Sequence, residues 1–156
     1  MQKMIVSAMR MLVYFILAVL CASLAGSVIQ SQFNLVAISA LGAPVPVPVW
    51  LATTLEDLAG FAPLYAAMMA VSLLLALPVA ALALRLLTPA QRSTWQLPVY
   101  ALAGALGICA AFLAANAAAP MPTLIAATRS VAGTLAMMLS GALGGWVFAR
   151  LHTLDQ

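Results

Sequence analysis

The chain has 156 residues, of which 66% are hydrophobic and 6% are charged, and its mean hydropathy is +1.15. Soluble domains carry about 25% charged residues, so this composition excludes an ordinary soluble fold. The net charge of +3 arises because six basic residues outnumber three acidic ones, and the basic residues are too scattered to form a patch for nucleic acid.

Four long apolar runs predict four transmembrane helices in one domain, residues 1–156. The runs cover residues of about 11–29, 58–84, 97–115 and 130–149. Each can cross a hydrocarbon core of about 30 Å, because a helix rises about 1.5 Å per residue. The sequence therefore predicts an all-α, integral membrane four-helix bundle.

The segment between the first and second runs, residues 30–57, predicts a proline-rich loop. Pro44, Pro46 and Pro48 alternate with other residues, and each removes a backbone donor and fixes φ, which favours extended chain. A short capped helix is then expected, with Thr53 or Thr54 as the cap and Glu56 or Asp57 three residues later. We expect this loop to lie at the membrane surface or over the end of the bundle, as a lid, a spacer or a docking strand.

Small residues recur along the third and fourth runs. Gly141 and Gly145 form a GxxxG pair, Gly144 lies beside them, and Ala103 and Gly107 repeat the spacing on the third run. Such residues allow two helix backbones to approach closely. We expect helices three and four to pack through these residues. Alternatively, the glycines meet a partner helix in a homo-oligomer or a larger complex.

The basic residues predict the orientation of the chain. Five of them flank the runs at alternating boundaries: Lys3, Arg10, Arg85, Arg92 and Arg150. Residues 30–57 and 116–128 contain no lysine or arginine. Because positive residues are retained on the cytoplasmic side, both termini should be cytoplasmic and residues 30–57 should lie outside. The predicted arrangement is up-down-up-down in a bacterial inner membrane.

The predicted outer side carries the candidate interaction residues. Glu56, Asp57 and Arg129 are its ionisable side chains, and an isolated charge at this level is costly. We expect Arg129 to pair with Glu56 or Asp57 and hold the loop to the fourth helix. The alternative is that Arg129 binds an anionic headgroup or a carboxylate of a partner. Trp50 is expected at the same interface, which indole rings favour.

Reactive side chains are scarce, so we predict no catalytic residue, no cofactor and no metal site. His152 is the only histidine, and no hydrolase or nucleotide-binding motif is present. No acidic residue falls in the middle of a run, which argues against a proton-coupled transporter. The sequence favours a non-catalytic accessory or structural subunit that binds a larger membrane complex or self-associates among membrane lipids. The alternatives are a small oligomeric transporter or channel for a neutral or lipophilic solute and, more weakly, an enzyme acting on lipid.

Overall fold

A computed structural model describes residues 2–118 and 125–154, and all regular structure in those two segments is helical. The helices are α1 (Gln2–Ala40), α2 (Val47–Arg85), α3 (Pro89–Ala118) and α4 (Val131–Leu154), with a short 3-10 helix (Ala126–Arg129) before α4. Each of the four α-helices is long and apolar enough to cross a membrane. The predicted all-α class with four candidate spans is confirmed, and it indicates a multi-pass membrane protein.

The predicted loop over residues 30–57 is wrong for most of its length. α1 continues through Ala40 and α2 begins at Val47, so only residues 41–46 lie between the helices. Pro48 is tolerated because it lies in the first turn of α2, where backbone N–H groups have no partner within the helix. Gly42 has a φ of 86°, a left-handed conformation that glycine adopts without strain and that ends α1.

The four helices pack around a shared core. α1 contacts α2 and α4, and α3 contacts the same two helices. Three helices contribute the largest fully buried side chains: Tyr65, Met69, Leu73, Ile108 and Met137. Many large apolar side chains of the same helices stay exposed, as expected for surfaces that face lipid.

Close contact between α3 and α4 is present, but the predicted residues on α3 are wrong. A Cβ added to Gly145 would overlap the carbonyl oxygen of Tyr100, and one added to Gly141 would overlap that of Gly104. Gly107 instead faces α2, and Ala103 lines a groove between α2 and α3. Small residues surround α3 on several sides, so spacing alone did not identify the side that meets α4.

The third glycine of α4 has a different neighbour. A Cβ added to Gly144 would lie 3.0 Å from the Cβ of Ala22 and 3.1 Å from a methyl carbon of Leu73. Gly144 therefore allows α1 and α2 to approach α4, while Gly141 and Gly145 allow α3 to do so. In this way one glycine-rich segment of α4 contacts all three other helices.

Arginines lie at the same end of all four helices. Met11 of α1, Ala81 of α2 and Phe148 of α4 line one crevice, so they lie at a similar level. Arg10, Arg85 and Arg150 each lie within about one helical turn of one of these three residues. On α3, the Nε of Arg92 donates to the carbonyl oxygen of Leu84 at 3.1 Å. The arginines at this end are Arg10, Arg85, Arg92 and Arg150.

Candidate functional site: an uncharged arm above a polar layer

The facing ends of α1 and α2 form an arm, residues 31–55, that contains no ionisable side chain. At its base, the Oε1 of Gln30 accepts a hydrogen bond from the backbone N–H of Ala127 at 2.9 Å. This bond fixes the level at which the 3-10 helix meets α1. From Gln30 to Ala40, α1 rises about 15 Å further. The arm therefore projects well past the start of α4.

Three polar side chains brace the arm internally. The Nε1 of Trp50 donates to the Oε1 of Gln32 at 2.7 Å, and the Nε2 of Gln32 donates to the Oγ1 of Thr54 at 3.3 Å. Thr54 in turn donates to the carbonyl oxygen of Trp50 at 2.9 Å. Each of the three side chains donates one hydrogen bond, and together these bonds fix the register of α1 on α2. Thr54 lies inside α2 and does not cap it, contrary to the prediction.

The remaining surface of the arm is apolar and exposed. Leu41 is 88% exposed, Val47 is 72% exposed and Leu55 is 66% exposed. Both helices of the arm contribute such side chains: Val36, Ile38, Leu41, Val47, Val49, Leu51 and Leu55. A concentration of exposed apolar side chains in one segment is typical of a site that contacts a membrane or another protein. The brace presents this surface on a fixed scaffold.

A polar layer lies directly below the arm. The Oγ of Ser31 lies 2.6 Å from the Oδ2 of Asp57 and 3.0 Å from the carbonyl oxygen of Ser27. A serine hydroxyl has one proton, so it can donate to only one of these two oxygens at a time. Ser31 donates this proton to Asp57, because a carboxylate is a stronger acceptor than a backbone carbonyl oxygen. The Ser31–Asp57 bond therefore joins α1 to α2 at the base of the arm.

Deeper polar groups continue from this layer toward the core. Ser27 is fully buried, and its Oγ has no hydrogen-bond partner in the described part of the chain. The hydroxyl groups of Tyr65 and Ser140 lie 2.7 Å apart, and Ser140 donates to the carbonyl oxygen of Met137. Tyr65 must therefore donate to Ser140, which connects α2 to α4 through the core.

The candidate residues from the sequence fall into two groups. Asp57 and Trp50 both take part in contacts between α1 and α2, whereas Glu56 is exposed on α2. Arg129 ends the 3-10 helix, and its pairing with a carboxylate stays a prediction. Gly141, Gly144 and Gly145 lie far along α4, at helix contacts. Their role toward another chain is likewise still a prediction.

Sequence reasoning missed the buried serines of α1, although a signal was present. Ser23, Ser27 and Ser31 recur every four residues and so lie on one helix face. Within residues 2–118 and 125–154, no group of three or more His, Cys, Asp or Glu side chains comes together that could hold a metal ion.

Comparison of the chain with protein-family models, with curated proteins and with solved structures found no match.

Proposed function

We propose that the protein is a non-catalytic accessory subunit of a bacterial inner membrane, and that its arm docks onto a membrane-protein partner. In this proposal the four helices form an up-down-up-down bundle with both termini in the cytoplasm. The arm then lies on the outer side of the membrane. The observation that supports it best is the braced, uncharged, apolar surface of residues 31–55.

The positions of the arginines support this orientation. The ends of all four helices that carry arginine lie together, and positive residues favour the cytoplasmic side. From Arg10 to Gln30, α1 rises about 30 Å, which matches the thickness of a hydrocarbon core. A membrane positioned at the arginines would therefore end near the polar layer, and the arm would project from it.

The size of the apolar surface supports docking. Full burial of a leucine or valine side chain contributes about 1.5–3 kcal/mol. Leu41, Val47 and Leu55 are each about two-thirds or more exposed. Their burial alone would contribute on the order of 3–7 kcal/mol. Because the hydrogen-bonded brace already orders the arm, little further conformational entropy is lost when a partner binds.

The partner should present an apolar surface close to the outer face of the membrane. The arm carries no charged side chain, so it cannot form an ion pair with a charged site on a partner. The seven exposed apolar side chains of the arm would instead pack against apolar side chains of the partner. A second copy of the chain could also offer such a surface, and the experiment below distinguishes the two.

Purification in mild detergent tests docking. Wild-type protein should elute as a complex of defined mass, and Leu41→Lys should release it because a charge would be desolvated in the interface. Val6→Lys adds the same charge on an exposed residue at the opposite end of α1, and it should leave the complex intact. A complex mass that is a multiple of the chain mass would identify a second copy as the partner. Wild type that elutes as a lone chain contradicts docking.

A small oligomeric transporter or channel remains the second candidate, and the buried polar groups favour it. Ser23, Ser27 and Ser31 place hydroxyl groups along one buried face of α1, leading from Asp57 toward the core. Of these, the Ser27 hydroxyl has no partner in the described residues and is available to a neutral solute. Reconstituted vesicles should then show solute flux that Ser27→Leu blocks, whereas the accessory-subunit proposal predicts no flux from either protein.

A further inference from the structure

A crevice between α1 and α2 lies at the end of the molecule that carries the arginines. Its volume is about 380 Å³, and its walls are almost entirely apolar. Phe15 lies on the α1 side, Leu74 and Pro78 lie on the α2 side, and Tyr100 and Phe148 also line it. The rings of Tyr100 and Phe148 pack together, with centroids 5.7 Å apart. The crevice therefore offers apolar contacts to an apolar group.

A positive charge lies at the mouth of this crevice. Leu74, Pro78, Ala81 and Arg85 follow one another at helical spacing, so Arg85 continues the face of α2 that lines the crevice. Arg85 lies close enough to Tyr100 for its charge to act on the phenol. Tyr100 also lines the crevice, so this cation and the phenol belong to the same site.

Arg85 differs from its neighbour Arg92. The Nε of Arg92 is held by the carbonyl oxygen of Leu84, so that guanidinium has a structural role. Arg85 is exposed, and within the described residues no hydrogen bond or ion pair engages it. An arginine can bind a phosphate through two parallel N–H···O bonds. Arg85 is therefore available to a ligand that carries a phosphate.

We propose that this crevice binds one acyl chain of an anionic phospholipid, whose phosphate is bound by Arg85 with the Tyr100 hydroxyl group as a second donor. A phospholipid fits because the site is apolar along its length and cationic at one end. This site requires only that the end of the bundle with the arginines lies in one leaflet of the membrane. The proposal therefore does not depend on docking by the arm. Basic sites between membrane helices are known to recognise anionic headgroups.

A second groove supplies an internal comparison. It lies between α2 and α3, measures about 840 Å³ and is lined by residues such as Val71, Leu106 and Ala110. No charged residue lines this groove. It offers apolar contact without a headgroup site, so we expect lipid there to be bound without regard to charge.

Native mass spectrometry with added lipid tests the proposal. Purified protein should retain phosphatidylglycerol in preference to phosphatidylcholine. Arg85→Gln should weaken phosphatidylglycerol binding about fivefold, the factor that corresponds to about 1 kcal/mol per basic residue. Tyr100→Phe keeps the ring and removes the hydroxyl group, so it should weaken binding less. Ala81→Phe should fill the crevice and reduce binding without any change in charge.

Two matched controls separate this site from general attraction. Lys3→Gln removes one positive charge from an exposed residue elsewhere at the same end, and Ala110→Phe fills the second groove. Both should retain the preference for phosphatidylglycerol. Equal loss from Arg85→Gln and Lys3→Gln would mean that only net charge matters, and it would overturn the site. Displacement of the lipid by millimolar inorganic phosphate would mean that the ligand is a free anion, which also overturns the acyl-chain assignment.

Discussion

Gly145 offers the sharpest test of the helix packing, because an added methyl group has no space there. The Cβ of Gly145→Ala would overlap the carbonyl oxygen of Tyr100 and lie 3.2 Å from the Cα of Ala101. Both atoms belong to the backbone of α3, so no rotamer change can relieve the overlap. Overpacking of this kind costs about 1–3 kcal/mol. Replacement of a helical glycine by alanine returns about 0.5–1 kcal/mol.

The net expectation is destabilisation by up to about 2.5 kcal/mol, or a fall in Tm of up to roughly 10 °C for a chain of this size. Gly60→Ala is the matched control, since a Cβ on Gly60 meets nothing within 4 Å. It should raise Tm by a few degrees through helix propensity alone. Thermal unfolding in detergent, followed by circular dichroism, measures both variants. If Gly145→Ala is as stable as Gly60→Ala, then α3 and α4 do not pack as described.

Three further changes test the core and the orientation. Tyr65→Phe removes the hydrogen bond to Ser140 and should cost about 0.6 kcal/mol, and no more than about 1.7, in the same unfolding assay; these are the average and the maximum for hydrogen bonds between membrane helices. Ser27→Ala should leave Tm unchanged or raise it, because the buried hydroxyl has no partner in the described residues, and a clear loss would show that it is bonded. A cysteine in place of Ala43 should react with an impermeant reagent added outside the cell, while one in place of Ala90 should not. The reverse labelling pattern would overturn the orientation.

The number and type of the helices could be predicted, because each apolar run long enough to cross a membrane corresponds to one helix. Their ends could not, as the region around Pro44, Pro46 and Pro48 shows. Three prolines within a short segment favour extended chain, yet Pro48 fits the first turn of α2 and Gly42 supplies the turn after α1. The helices therefore begin and end much closer to each other than the proline pattern indicated. Local sequence signals marked a boundary but not its exact extent.

The contact between α3 and α4 shows a second limit. The glycines of α4 were identified from spacing, whereas Gly104 was missed in favour of Gly107. On an alanine-rich helix, several faces carry side chains small enough for close approach. The position of the neighbouring helix therefore determines which face is in contact. The Ser31–Asp57 bond was missed for a similar reason. It joins two helices whose relative register no single stretch of sequence specifies.

The most direct test of docking is photo-crosslinking from the arm in intact membranes. A photoreactive residue in place of Leu41 or Leu51 should give a protein adduct of discrete mass, because both side chains belong to the exposed apolar surface. The same residue in place of Met4, which is exposed at the opposite end of α1, should give no such adduct. Adducts with lipid alone from all three positions would contradict the proposal that the arm binds a membrane-protein partner.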